Sequence, residues 1–140
     1  MKVELIKILL VEDDPGHARL IEKNLRRGGI TNEIVPINNG QSAIDYLQAA
    51  YEQNLEKNLM VVLDLNLPVV DGYQVLEKIK SDPRMRKLPV IILTTTDVSR
   101  EVVRCYELGC NIFVTKPVQY DDFCTAVRNI GLLLSTVTIP

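Results

Sequence analysis

Histidine is nearly absent from this chain: His17 is the only one in 140 residues. Tryptophan is missing altogether, and cysteine is confined to Cys105, Cys110 and Cys124. One histidine and no Cys-x-x-Cys pair exclude the usual zinc spacings. Three scattered thiols read as reduced packing residues of a cytoplasmic protein, not as a disulfide framework. Charge of one sign is also lacking. The formal net charge is -2, and the short basic clusters at 26–27 and 84–87 read as solvated faces, so nucleic acid is not expected as a partner. No apolar run is long enough for a membrane span, and the opening "MKVELIKILLVEDD" has no small-residue cleavage site. The expected setting is therefore the cytosol, with no membrane partner.

What remains is the profile of one compact soluble domain, with 46% hydrophobic and 24% charged residues. Its apolar runs are short and continuous: "LIKILLV" (5–11), "LMVVL" (59–63), "PVIIL" (89–93) and "NIFVT" (111–115). Strands covered on both faces have this pattern, which favours a parallel sheet between helices. A weaker run, "EIVPI" (33–37), contains Pro36 and belongs at a sheet edge.

Helical periodicity fills the intervals. The expected inward faces are Ala18, Ile21 and Leu25 in 16–28, then Ala43, Ile44 and Leu47 in 40–53. They continue with Val75, Leu76 and Ile79 in 72–80, and Val98, Val102 and Tyr106 in 98–108. The last is Phe123, Val127, Ile130 and Leu134 in 121–134. Five strand–helix units predict a doubly wound α/β domain of (βα)5 type with strand order 2-1-3-4-5. The chain is read as a single domain over 1–140 without an output module, with a polar connection at 49–58 and a tail at 135–140.

The two greasiest strands run into acid. "LVEDDP" ends the first with Glu12, Asp13 and Asp14, and "MVVLDLNLP" ends the third with Asp64. In the expected order these strands are neighbours at the switch point, where open α/β sheets build their sites. Carboxylates crowded in a partly desolvated crevice repel one another unless a cation is present. Oxygen donors without histidine or cysteine suit Mg²⁺. "FVTKP" adds Lys116, and "ILTTTD" adds Thr94, Thr95 and Thr96 at the fourth strand end. Taken singly, each has a structural reading: Asp14 fits a helix cap before Pro15, and threonine suits a strand. Together they form a pocket for a phosphoryl group, with a carboxylate available as nucleophile.

At this point the chain resembles a response-regulator receiver domain over nearly its whole length. The matching residues are Glu12-Asp13, "DLNLP" followed by "DG" (64–72), Thr94 and Lys116-Pro117. The resemblance implies that Asp64 is the phosphoacceptor. It implies that Asp13, Asp64 and the backbone carbonyl of Asn66 bind Mg²⁺, with Glu12 acting through a water. Thr94, Thr95 and Lys116 would contact the phosphoryl oxygens, Pro117 would follow a cis peptide, and Phe113 would be the switch aromatic. The phosphoryl donor would be a histidine kinase, and a histidine phosphotransfer protein a possible onward partner. Phosphorylation would act on the surface formed by the fourth helix, fifth strand and fifth helix. Two departures stand out: Phe113 where the family more often has tyrosine, and Thr95 where a smaller residue is common, which would slow phosphotransfer or hydrolysis. The 49–58 connection, "LPVVDG", "CYELGCNIFVTKP" and "TVTIP" further resemble single-domain regulators paired with phytochrome-type kinases.

Leu132, Leu133 and Leu134 cannot all face one core, so a homodimer through the last helix and tail is expected. A phosphatase of the haloacid dehalogenase type also uses a nucleophilic aspartate and Mg²⁺. It needs a second acid two residues on, where this chain has Asn66. A flavin carrier of similar topology needs a phosphate-cradling loop, and "EDDPGH" is the wrong charge for one. A receiver that has lost phosphorylation would be expected to have lost some of these residues, and all are present. A receiver served by a kinase unrelated to phytochrome remains the nearest alternative.

Overall fold

A computed structural model of the chain describes residues 6–53, 58–117 and 119–134, with the side chains of 133 and 134 outside that description. The elements alternate without exception: β1 (Lys7–Val11), α1 (Pro15–Arg27), β2 (Ile34–Ile37), α2 (Gly40–Glu52), β3 (Leu59–Leu63), α3 (Gly72–Ser81), β4 (Val90–Thr94), α4 (Ser99–Glu107), β5 (Ile112–Thr115) and α5 (Tyr120–Leu134). The strands form one parallel sheet in the order β2-β1-β3-β4-β5. This is the expected topology, with the Pro36 strand at an edge. Leu5, the 54–57 part of the long connection, the Leu134 side chain and the 135–140 tail lie outside the described residues, so the tail-mediated dimer has no structural counterpart here.

The continuous apolar runs divide by the two-residue period of a strand. From β1, Leu9 and Val11 face the cluster that holds Ala43, Leu47, Val75, Leu76 and Ile79 from α2 and α3. Ile8 and Leu10 face the other cluster, with Ile21 and Leu25 of α1 and Phe123 and Val127 of α5. The sheet is therefore covered on both faces, which is why its central strands can be apolar throughout.

Helix starts follow from local chemistry. Asp14 caps α1 by accepting from the N–H groups of Gly16 and His17, with Pro15 in the first turn. Asn39 caps α2. Asp71 and Gln74 form a reciprocal capping box on α3. Helix α4 differs from these three: Val98 stands at its N-cap and has no side chain able to cap.

The expected inward face of α4 is wrong. Val98 is 45% exposed and Tyr106 48%, and Val103 is exposed beside them. The residue that reaches the core is Cys105, with Leu108 partly buried behind it. The reason is position: α4 sits beside β5, the second edge of the sheet, where only a narrow strip of core is available. β5 itself is half-covered, and Ile112 is exposed.

The seam between α1 and α5 is unusually close. A Cβ on Gly28 would lie 2.3 Å from the carbonyl oxygen of Arg128 and 2.9 Å from the Cα of Gly131. Only glycine fits there without moving a backbone. Gly28→Ala is expected to destabilise the fold by about 2–3 kcal/mol, because the helices must separate. Urea unfolding measures this directly, and an unchanged midpoint would mean that the seam is loose enough to absorb a methyl group.

Candidate functional site

Strand register builds the pocket. Val11 of β1 is paired with Leu63 of β3, so the residues that follow, Glu12 and Asp64, emerge side by side. The N–H of Asp64 donates to the carbonyl of Val11 (3.1 Å), and that of Glu12 donates to Ile37 (3.0 Å). Both backbones are thereby fixed as the strands end. Glu12 is 3% exposed and Asp64 7%, while Asp13 next to them is exposed. One carboxylate oxygen from each of Glu12, Asp13 and Asp64 lies within 4.8 Å of the others.

Lys116 enters from the end of β5. Its N–H donates to the carbonyl of Thr94 (2.6 Å), extending the β4–β5 ladder by one residue. Its ammonium is buried, donates to Glu12 Oε1 in a short ion pair, and lies 3.2 Å from Asp64 Oδ2. The lysine does not reach over the pocket from solvent. It is part of the floor.

The expected cis peptide before Pro117 is not found: no peptide bond among the described residues is cis. The trans form is the intrinsically favoured one, and from it the Lys116 ammonium already meets both acids. The backbone bond to Thr94 and the two carboxylates orient the side chain without isomerisation.

Electrostatics separate the two buried acids. Burial pushes the Glu12 carboxyl up to about 7, against the pull of Lys116, and the nearby Asp64 charge adds to the rise. Burial opposes ionisation of Asp64 as well. The Lys116 ammonium, the hydrogen bond with Glu12, the Asn66 N–H and the Thr94 hydroxyl outweigh it and hold Asp64 below the usual carboxylate range. Proton uptake by the pair is therefore favoured at Glu12, and ionisation at Asp64.

The rim is made by the loops after β3 and β4. Asn66 N–H donates to Asp64 Oδ1 (3.2 Å). The Asn66 amide reaches across to the hydroxyls of Thr94 (3.4 Å) and Thr95 (3.2 Å). Thr94 is fully buried and Thr95 is exposed, so one hydroxyl lies inside the pocket and one at its mouth. A Cβ on Gly72 would lie 2.3 Å from the Asp64 carbonyl, so glycine lets α3 start directly behind the pocket. Phe113 is half-buried against the cluster beneath α3 and α4, and its N–H donates to the Tyr106 hydroxyl (3.1 Å).

Two side-chain contacts at the site were not read from sequence, and the Thr96 side chain, expected at the pocket, turns away from it. His17 Nδ1 is 3.7 Å from Glu12 Oε1, and its ring meets Phe123. The Asn66 amide spans to Thr94 of β4, while Thr96 donates to Glu101 in a short bond directed at α4. The offset of His17 from Asp14, one turn of α1, was the available signal for the first contact; the second, like the turn of Thr96, depends on how loops cross.

The donor set fits a hard divalent cation. All three groups are carboxylates within reach of one centre. Fully ionised, they exceed the Lys116 charge by two, which a divalent ion balances.

Residues 8–128 match the response regulator receiver domain. Response regulator Rcp1 of Synechocystis is 38% identical over 136 residues, covering 95% of this chain and 92% of its own length. The crystal structure of the Mn(2+)-bound form of Rcp1 superposes with a TM-score of 0.86 at 36% identity, covering 96% of this chain and 99% of that one. A receiver domain from Rhodospirillum rubrum superposes at 0.91 with 46% identity, covering 96% and 97%. The phosphorylated cyanobacterial phytochrome response regulator RcpA does so at 0.86 with 35% identity, covering 96% and 98%.

The pKa of Glu12 sets a pH dependence. Its folded value lies above the ordinary carboxylate value, so its contribution is fully present below about 4.5 and is lost as pH rises through about 7. In metal-free protein the loss should be on the order of 2 kcal/mol, allowing for screening at the open mouth. Asp64, whose value is lowered, has the opposite sign and loses its contribution only on strong acidification. Thermal unfolding in EDTA at pH 5, 6.5 and 8 should show the decline in the wild type and a flatter profile for Glu12→Gln. Parallel profiles would mean that Glu12 is ionised throughout.

Proposed function

This chain belongs to the response regulator receiver domain family, and on that premise we propose that it accepts a phosphoryl group on Asp64 from a phosphohistidine of a histidine kinase. The observation that carries the reading is the convergence of three carboxylates and one buried ammonium on the carboxyl edge of the sheet.

The step is a displacement at phosphorus. The ionised Asp64 oxygen forms the new P–O bond while the P–N bond to the donor imidazole breaks, and the imidazole leaves with the bonding pair. Asp64 is suited to attack because Lys116 favours its ionised form in a pocket that has excluded most of its water. Lys116, Thr94 and Thr95 hold the phosphoryl oxygens, the lysine by charge and the threonines by hydrogen bonds. Mg²⁺ would be held by Asp13, Asp64 and the Asn66 carbonyl, with Glu12 through a water, and when bound it supplies the charge that lets a phosphoryl group approach an acidic site.

The phosphoryl donor is a phytochrome-type kinase in this reading. Its support is the similarity to RcpA, a phosphorylated cyanobacterial phytochrome response regulator, across nearly the whole chain. Output passes through the face of α4, β5 and α5. Support comes from the apolar residues exposed there, Val98, Val103, Tyr106 and Ile112, and from the hydrogen bond between Tyr106 and the backbone of Phe113.

Incubation with acetyl phosphate and Mg²⁺ should add one phosphoryl mass to the intact protein. The addition should vanish in Asp64→Asn and in EDTA. Mass gained by the asparagine variant would place the phosphate on another residue. Thr95→Ala should also shorten the phosphoryl lifetime several-fold, because the exposed hydroxyl and its Asn66 bond narrow the mouth to water; about threefold is one such hydrogen bond's share. An unchanged decay would remove Thr95 from the hydrolytic step.

A further inference from the structure

We infer that Thr96 and Glu101 form a clasp that positions the Thr94–Thr95 hydroxyls over the pocket and so sets how tightly a phosphoryl group is held. The inference rests on Asp64 being the phosphoacceptor, and it concerns two residues that do not touch the acidic pocket.

Helix α4 starts without a side-chain cap, because Val98 stands where an oxygen is needed. Thr96, two residues upstream, leaves the first N–H groups of the helix uncapped but ties itself to the start of the helix. Its hydroxyl accepts from the Val98 N–H (3.4 Å) and donates to Glu101, an acid in the first turn of α4. Its carbonyl accepts from the Thr115 hydroxyl of β5 (3.2 Å). One residue is therefore tied to the helix by its side chain and to the neighbouring strand by its backbone.

One turn further, the Arg104 guanidinium lies 4.1 Å from the Tyr73 ring centre and holds α4 against α3. On the other side of Thr96, the Thr94 carbonyl is fixed by Lys116 and its side chain faces Asp64 and Asn66. The loop from 94 to 98 thus has its inner end in the pocket and its outer end in α4, with Thr96 as the joint. A loop held this way presents its hydroxyls without being ordered at the moment of binding, and that saved ordering appears as affinity. Thr96 is a positioning residue, since its own hydroxyl faces the helix.

The probes are beryllium trifluoride with Mg²⁺, titrated by calorimetry, and Mg²⁺ alone. Thr96→Val keeps the shape of the side chain and removes its hydrogen bonds. It should weaken beryllium trifluoride binding about tenfold, the share of one or two hydrogen bonds, while Mg²⁺ affinity stays within about twofold because the acidic ligands are untouched. Thr96→Ser should restore the affinity. Glu101→Ala should reproduce the loss, and the double variant should lose no more than either single one. Equal beryllium trifluoride affinity in wild type and Thr96→Val overturns the clasp. So does a parallel fall in Mg²⁺ affinity and melting temperature that serine does not repair, which marks a purely structural role. Failure of the wild type to bind beryllium trifluoride is a different result: it refutes the phosphoacceptor reading itself before any variant is compared.

Discussion

The pocket depends on one buried ammonium between two buried carboxylates. Lys116 meets Glu12 and Asp64 at the floor of the site, and each of the three has lost nearly all its water. Burying charge is costly, and an uncompensated acid in such a place takes up a proton. The lysine prevents that for Asp64 and leaves the penalty on Glu12. The order of strands then has a physical purpose. β1, β3 and β5 deliver the three groups, while β4 between them delivers Thr94, so four consecutive strands of the sheet are needed to bring one ion triad and its hydroxyl together. Apolar strands suit this task because a packed core does not let their ends drift.

Rigidity is not distributed evenly around that centre. Helix α3 begins with a reciprocal cap and buries Val75, Leu76 and Ile79 completely. Helix α4 begins without a cap, buries only Cys105 and keeps an apolar face in water. The first fixes the back of the pocket, and the second is the helix with the fewest buried residues among those described. A change at the pocket therefore has an obvious place to be felt, since low local stability is what allows an element to shift. The ties of α4 are polar and few: the Thr96–Glu101 bond, the stacking of Arg104 on Tyr73, and the Tyr106 hydroxyl on the backbone of β5.

Much of this was legible in the order of residues. The strand LMVVL spans 59–63 in sequence and structure; the ends at 11, 37 and 115 coincide as well, the other bounds of β2, β4 and β5 shift by one residue, and β1 starts at Lys7. Continuous apolar runs identify covered strands, and acids at their ends identify the edge that carries chemistry. The face of α4 was not legible. Periodicity counts apolar side chains, and Val98, Val102 and Tyr106 satisfy it; which side of a helix is covered depends on how far it sits from the centre of the sheet. The depth of Lys116 was hidden for a similar reason. Sequence places it after β5, but the backbone bond to Thr94 that draws it into the floor joins residues from two strands.

The β3–α3 loop shows what the geometry demands in return. Val69 has φ of 65°, and the N–H of Val70 donates to the carbonyl of Pro68 (2.8 Å), closing a γ-turn of the uncommon hand around a β-branched residue. Its side chain is 98% exposed, so no packing compensates for the strain, which is on the order of 1–3 kcal/mol. The turn persists because its neighbours leave no other path. Asn66 is held by the Asp64 carboxylate, Gly72 N–H is bound to the Leu65 carbonyl, and Asp71 is committed to the cap of α3. Three residues, Pro68, Val69 and Val70, must close the distance between a fixed Leu67 and a fixed Asp71. The strain at Val69 is thus the local cost of starting α3 directly behind Asp64, and a roomier loop would relax it only by letting the back of the pocket move.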